Sequence, residues 1–196
     1  MLDIEIFHID ENIYEGNNKI GTVPHLSLGS YTPLTPEEKN ALQKATTSLS
    51  DSDISFFAPI LEEIGKKFYT INLRVELVKA KHPTVKQLIR NQLQKLSSTD
   101  NKTLTQLHQE KKGLKALITS RFKPEEQVMI MMKLKEHHEQ QKKNHTVSPL
   151  QDELFARGIA ECVQAIRDLP KDQKSPLITN LCFSSTHRHY PVTYSR

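Results

Sequence analysis

The apolar residues Leu61, Ile64, Phe68, Ile71, Val75 and Val78 step by threes and fours, the spacing that places side chains on one stripe of an α-helix. The stripe predicts a long helix from about Pro59 to Lys81, ended where Pro83 disfavours helical geometry at His82. A helix with so continuous an apolar face must bury it against other elements.

The partners are marked by punctuation. Thr35-Pro36-Glu37-Glu38 places a hydroxyl at the N-cap, proline at the first helical position and a glutamate at the third, which predicts a helix running to about Leu49. Ser148-Pro149-Leu150-Gln151 repeats that pattern, and Lys123-Pro124 and Ser175-Pro176 are further starts. Val85, Leu88, Ile89 and Leu96 mark a helix followed by a loop over 97–101, and Leu104, Leu107, Leu114, Leu117 and Ile118 mark one ending near Phe122. A helix carrying Val128 to Met132 turns wholly polar in EHHEQQKKN, which predicts a solvated or frayed end. Leu154, Phe155, Ile159, Cys162, Val163, Ile166 and Leu169 complete the set. The expected fold is mainly α, a compact bundle of about six helices around the 61–78 stripe.

The first residues differ. Leu2, Ile4 and Ile6 alternate with Asp3 and Glu5, and the turn residues Glu15 to Asn18 precede a second short apolar run. A short N-terminal β-hairpin-like segment follows from this, with an irregular connection over 24–34. The expected organisation is an extended β segment over 1–34, a helical domain over 35–184 and a polar C-terminal tail over 185–196.

Glycine usage excludes whole classes of chemistry. Gly16, Gly21, Gly29, Gly65, Gly113 and Gly158 are the six glycines and they never cluster, so no glycine-rich turn brings backbone against a phosphate. The sequence contains no His-Glu-x-x-His, no Cys-x-x-Cys and no Gly-x-Ser-x-Gly. No cofactor and no metal centre is expected. His137 and His138, adjacent on a helix, point about 100° apart and cannot chelate together. The acidic start MLDIEIFHID lacks the basic and apolar regions of a secretory signal, and two cysteines supply no disulfide framework. These features predict a cytoplasmic or otherwise intracellular protein.

The densest chemistry lies in Cys182-Phe-Ser-Ser-Thr-His187-Arg188-His189. The spacing of Cys182 and Arg188 is similar to the phosphate loop of cysteine phosphatases, but the flanking glycines are missing and Pro191 follows. Cys182 with His187 as base would make a thiol enzyme, and Cys182, His187 and His189 would make an incomplete zinc set. The plain alternative is that Cys182 packs as a small hydrophobe while the histidines sit on a mobile tail.

Charge is distributed unevenly along the chain. Residues 1–65 hold 11 acids against Lys19, Lys39 and Lys44, and the remainder is basic, so the halves either neutralise each other or present a field to an anionic partner. Region 66–143 carries 18 bases and 7 acids, and Lys111, Lys112 and Lys115 would meet nucleic acid or an acidic membrane surface. Aromatic residues for base stacking are sparse there.

The lysine-, asparagine- and glutamine-rich, tryptophan-free composition and the tail HYPVTYSR, with Tyr194 third from its end, resemble effectors that intracellular bacteria inject through type IV secretion. The acidic block that commonly precedes such a tail is absent, since 173–196 contains no Asp or Glu. The resemblance implies secretion into a host cell without a cleavable signal peptide and action on a host protein. The leading expectation is a non-catalytic helical module whose partner is another protein, contacted through the adaptable side chains of Met129, Met131 and Met132.

Overall fold

A computed structural model describes residues 3–32, 34–96, 104–179 and 182–194. Leu2 and the expected loop at 97–101 lie outside the described residues.

The alternating N-terminus forms β1 (Asp3–Glu15), which turns at Gly16, held at φ +62°, into β2 (Asn18–Thr32). A left-handed backbone of this kind favours glycine. The hairpin is therefore present but longer than expected, because 24–32 continues the antiparallel ladder instead of forming an irregular connection. The expected polar tail is also corrected. Residues Cys182–Tyr194 form β3, which pairs in parallel with β1 from Asp3–Cys182 to Glu15–Tyr194, giving the sheet order β2-β1-β3. The element is a three-stranded sheet built from both ends of the chain, and the mainly α character holds. Pro24 and Pro191 both fall on outer strands of this sheet, where a missing N–H interrupts no central ladder.

The helices begin where their caps predict. Thr35 and Glu38 form a reciprocal capping box for α1 (Pro36–Ala45), which stops before Leu49. Ser50 and Asp53 cap α2 (Asp51–Lys79), so this helix starts earlier than the expected Pro59, which it carries internally. The first turn is set by a cap whose signal, Ser50-x-x-Asp53, is as good as a proline at the first helical position. Next come α3 (Pro83–Lys95), α4 (Leu104–Arg121), α5 (Pro124–Lys143), α6 (Pro149–Arg167) and the single-turn α7 (Pro176–Thr179). None of these helices is long and apolar enough to cross a membrane, among the described residues.

Helix α2 lies at the centre, against α3, α4, α5 and α6. Its buried residues include Phe57, Leu61, Ile64, Tyr69, Ile71 and Leu73, whereas Phe68 and Val75 are half-buried and Val78 is 84% exposed. The expected stripe steps by 3.4 residues on average and so rotates by about 100° between Leu61 and Val78. Leu61 and Ile64 join Ile4, Ile6 and the α5 and α6 side chains in one core cluster, and Tyr69 and Leu73 join Ile13, Val23, Val85 and Ile89 in a second.

The closest approach in the helical layer is between α2 and α6. A Cβ built on Gly65 would stand 1.9 Å from the Leu154 carbonyl oxygen, and one on Gly158 would stand 2.3 Å from that of Leu61. Backbone meets backbone here, and only glycine leaves room. We expect Gly65→Ala and Gly158→Ala each to destabilise the fold by about 3 kcal/mol, the upper range for overpacking, read as a lowered midpoint in urea unfolding. Gly113→Ala, where no atom lies within 4 Å of the added carbon, should be neutral or slightly stabilising.

Candidate functional site

The polar interior is concentrated where β2 meets the first turns of α6. Glu153 and Arg157, four residues apart on α6, share one face of the helix, and both are buried. The Arg157 guanidinium donates to Glu153 Oε1 at 3.2 Å and lies 4.6 Å from the centre of the Tyr69 ring. His25 of β2 approaches from the other side, its Nδ1 2.8 Å from Glu153 Oε2 and its Nε2 3.4 Å from Glu11 Oε2. The backbone N–H of Leu26 donates to Glu153 Oε1 at 3.3 Å. One carboxylate thus joins sheet and helix through three donors.

Burial works against charging His25, but the hydrogen bond and charge of Glu153, with Glu11 adding to them, raise its pKa above the ordinary 6.5. Burial, followed by the charge of Glu153, pushes the Tyr69 phenol above its ordinary value. The cluster favours the charged form of an imidazole that stands between two carboxylates, and it fastens two layers. Among the described residues, the hydrogen-bond and ion-pair partners of the His25 ring are carboxylates.

A second polar tie corrects the expectation for the end of α5. His138, expected in a solvated or frayed segment, is buried, stacked on Phe155 at 4.2 Å between ring centres, and its Nε2 is 2.9 Å from Asp152 Oδ1. Lys142 Nζ lies 3.1 Å from the same oxygen, and Ser27 donates to Oδ2 at 3.0 Å. Burial would raise the Asp152 pKa, but His138, Lys142 and Ser27 hold it below the usual carboxylate value. Lys135 is buried too, its ammonium meeting Glu139 one turn on. The polar tail buries one face because aromatic and acidic groups of α6 receive it. A pocket of about 520 Å³ opens beside these ties, lined by Glu11, His25, Ser27, Lys95, Asp152 and Glu153 among others.

The cysteine-centred candidates are drawn apart. Cys182, whose side chain lies outside the described residues, opens β3 opposite Asp3, whereas His187 pairs with His8 and Arg188 with Ile9. At about 3.3 Å per strand residue, His187 lies roughly 16 Å from Cys182 on the opposite face, and Arg188 roughly 20 Å away. A strand cannot wrap around a phosphate as a loop does. His187 stacks on His8, and the Arg188 guanidinium lies 4.3 Å from the centre of the Phe7 ring. The other thiol, Cys162, is buried in the core, and burial pushes it up to about 12.

The basic candidates are engaged in packing. Lys111 Nζ lies 3.3 Å from the centre of the Phe68 ring, and Lys115 Nζ lies 4.8 Å from it and 2.9 Å from Glu161 Oε2. These contacts fix α4 against α2 and α6 instead of offering both charges to a polyanion, while Lys112 is exposed. Direct contacts between the acidic N-terminal part and later residues include Glu15 with His82 at 3.3 Å and Asp10 with His189 at 3.7 Å.

The methionines separate. Met131 is fully buried in the core, whereas Met129 and Met132 are half-buried on α5. These two line a groove of about 320 Å³ with Leu34, Leu42 and Leu49, and Lys39 and Lys133 stand at its rim. The β2–α6 cluster was missed by sequence reasoning. Its one legible part was the Glu153–Arg157 spacing, since nothing in Pro24-His25-Leu26 announces a buried imidazole.

Glu153→Gln should lower stability by about 3 kcal/mol, because Arg157 and protonated His25 lose the charge that compensates them. In the native protein the contribution of His25 is fully present below pH 6.5 and fades as pH rises through its raised pKa. Urea unfolding at several pH values should show this decline as pH rises above 6.5 and lose it in the variant. Iodoacetamide at pH 7.5 should leave Cys162 of the native protein unmodified by mass spectrometry. Searches against protein-family models, curated proteins and solved structures find no match.

Proposed function

We propose that the protein is a non-catalytic protein–protein interaction module whose contact surface is the groove between α1 and α5. The observation that carries this reading is the make-up of the groove. Leu34, Leu42, Leu49, Met129 and Met132 supply an apolar lining in which two members are unbranched, polarisable side chains able to adapt to an incoming group. Lys39, Lys133 and Glu136 also line it, two cations against one acid. An apolar anchor flanked by Asp or Glu fits this lining: the anchor leaves water and the flanking acids meet the excess of positive charge. The resemblance in composition to injected effectors supports a host protein as the bearer of that segment.

A random peptide library displayed on phage, selected against the full chain, tests this. Enriched peptides should carry a bulky apolar residue beside acids and shift the methyl resonances of Met129 and Met132 in a methionine-labelled sample. Met132→Lys should weaken their binding at least tenfold with the circular dichroism spectrum unchanged. Failure to enrich any peptide, or enrichment of peptides that leave both resonances in place, overturns the proposal.

A further inference from the structure

The parallel pairing of β3 with β1 sets His8 directly opposite His187, their rings stacked with centres 4.7 Å apart and planes 16° from parallel. The two rings form one wall of a pocket of about 310 Å³ that also receives Asp10 from β1, His25 from β2, Glu76 from α2 and Arg157 from α6. Charge at this spot is unusually constrained. His25 is occupied between Glu153 and Glu11, and the Arg157 guanidinium, itself buried, is held on Glu153. Asp10 is the carboxylate nearest the pair along β1, and His189 Nδ1 also approaches it, at 3.7 Å.

We propose that His8 and His187 form an acid-sensitive latch, which holds β3 on the sheet near neutral pH and releases it when both imidazoles are protonated. Two neutral rings stack favourably, whereas two imidazolium rings at the same distance repel each other. Burial, the facing His187 and the charge of Arg157 each depress the His8 pKa below 6.5, and Asp10 opposes them only in part. The sign follows from linkage. Only the part of this depression that β3 brings, the facing His187 and the burial it adds, is relieved on undocking, and through that part docking loses support as pH falls below 6.5.

The other ties to β3 do not replace the stack. Thr186 Oγ1 donates to Glu5 at 3.1 Å and Arg188 covers Phe7, and neither donor changes charge in this range. His189 Nδ1 lies 3.7 Å from Asp10, so the carboxylate that faces His8 is shared with a second imidazole. Residues 185–191 of β3 are exposed, so little core burial resists departure of this stretch. Over the same pH range the pairing of His25 with Glu153 strengthens, because its pKa is raised. Acid therefore loosens β1–β3 and tightens β2–α6, and the expected result is local release within an intact fold.

Hydrogen exchange of the full chain, followed by mass spectrometry at pH 7.5 and pH 5.0 and corrected for intrinsic exchange, tests the latch. Peptides covering 182–194 should lose protection at pH 5.0 relative to pH 7.5, while peptides from β2 and α6 keep theirs. His187→Gln, at an exposed position, should abolish the difference. Equal protection of β3 at both pH values overturns the proposal, as does equal loss in every element or a His187→Gln protein with the full pH response. NMR titration of His8 in the unaltered protein is a second measure, and a midpoint at or above 6.5 also overturns it.

Discussion

Two glycines on different helices decide how the helical layer closes. With Gly65 facing Leu154 and Gly158 facing Leu61, α2 and α6 approach until main chain touches main chain, and the side chains on either side of the crossing are brought into register. Leu61 and Ile64 on one helix and Phe155, Ile159 and Cys162 on the other belong to the same buried cluster. Were the axes held apart by even one methyl group, these residues would lose van der Waals contact along the seam, since dispersion decays within an ångström of its optimum.

The same crossing fixes where the sheet attaches. Arg157 directly precedes Gly158 on α6 with Glu153 one turn before it, and Tyr69 stands one turn after Gly65 on α2, so the helix contact and the ionic cluster are built from adjacent turns. His25 then docks β2 onto Glu153, and Ser27 docks it onto Asp152. Buried ion pairs seldom add much net stability over apolar packing, but they discriminate sharply between registers. A slip of β2 by one residue would turn His25 to the other face of the sheet and leave Glu153 and Arg157 buried with incomplete partners. The cluster explains why a strand with few large apolar residues nevertheless holds one position.

Sequence patterns were most informative where a local rule dictates structure. The Thr35–Glu38 and Ser148–Gln151 capping boxes and the prolines at 36, 83, 124, 149 and 176 lie at helix starts in the structure, because caps act within one turn. Long-range features left weaker traces. Over 184–193 the last strand shows no buried alternation, since its order comes from backbone pairing with a segment at the other end of the chain. Gly65 and Gly158 look like isolated glycines until the helices are placed beside each other. His138 looks solvated in a polar run until Phe155 and Asp152 are opposite it. The candidate site divided in the same way: Met129 and Met132 were readable as surplus apolar residues on a helix, while Met131 between them was not distinguishable by composition and turned inward by helical phase.

The parallel placement of β3 has a kinetic and an architectural consequence. A parallel neighbour requires a crossover, and here the crossover is the whole helical domain, so β1–β3 pairing closes a loop of more than 160 residues (Glu15 to Cys182). Loop-closure entropy makes such a contact late to form and weakly supported until the helices have packed. The sheet is then left with two outer strands of different character. β2 is covered by α3 and α6, whereas β3 carries exposed Arg188, His187 and His189 and contains Pro191, features that discourage pairing with another chain. Charge and proline on that outer strand protect its unpaired backbone from the edge-to-edge pairing that an open sheet invites.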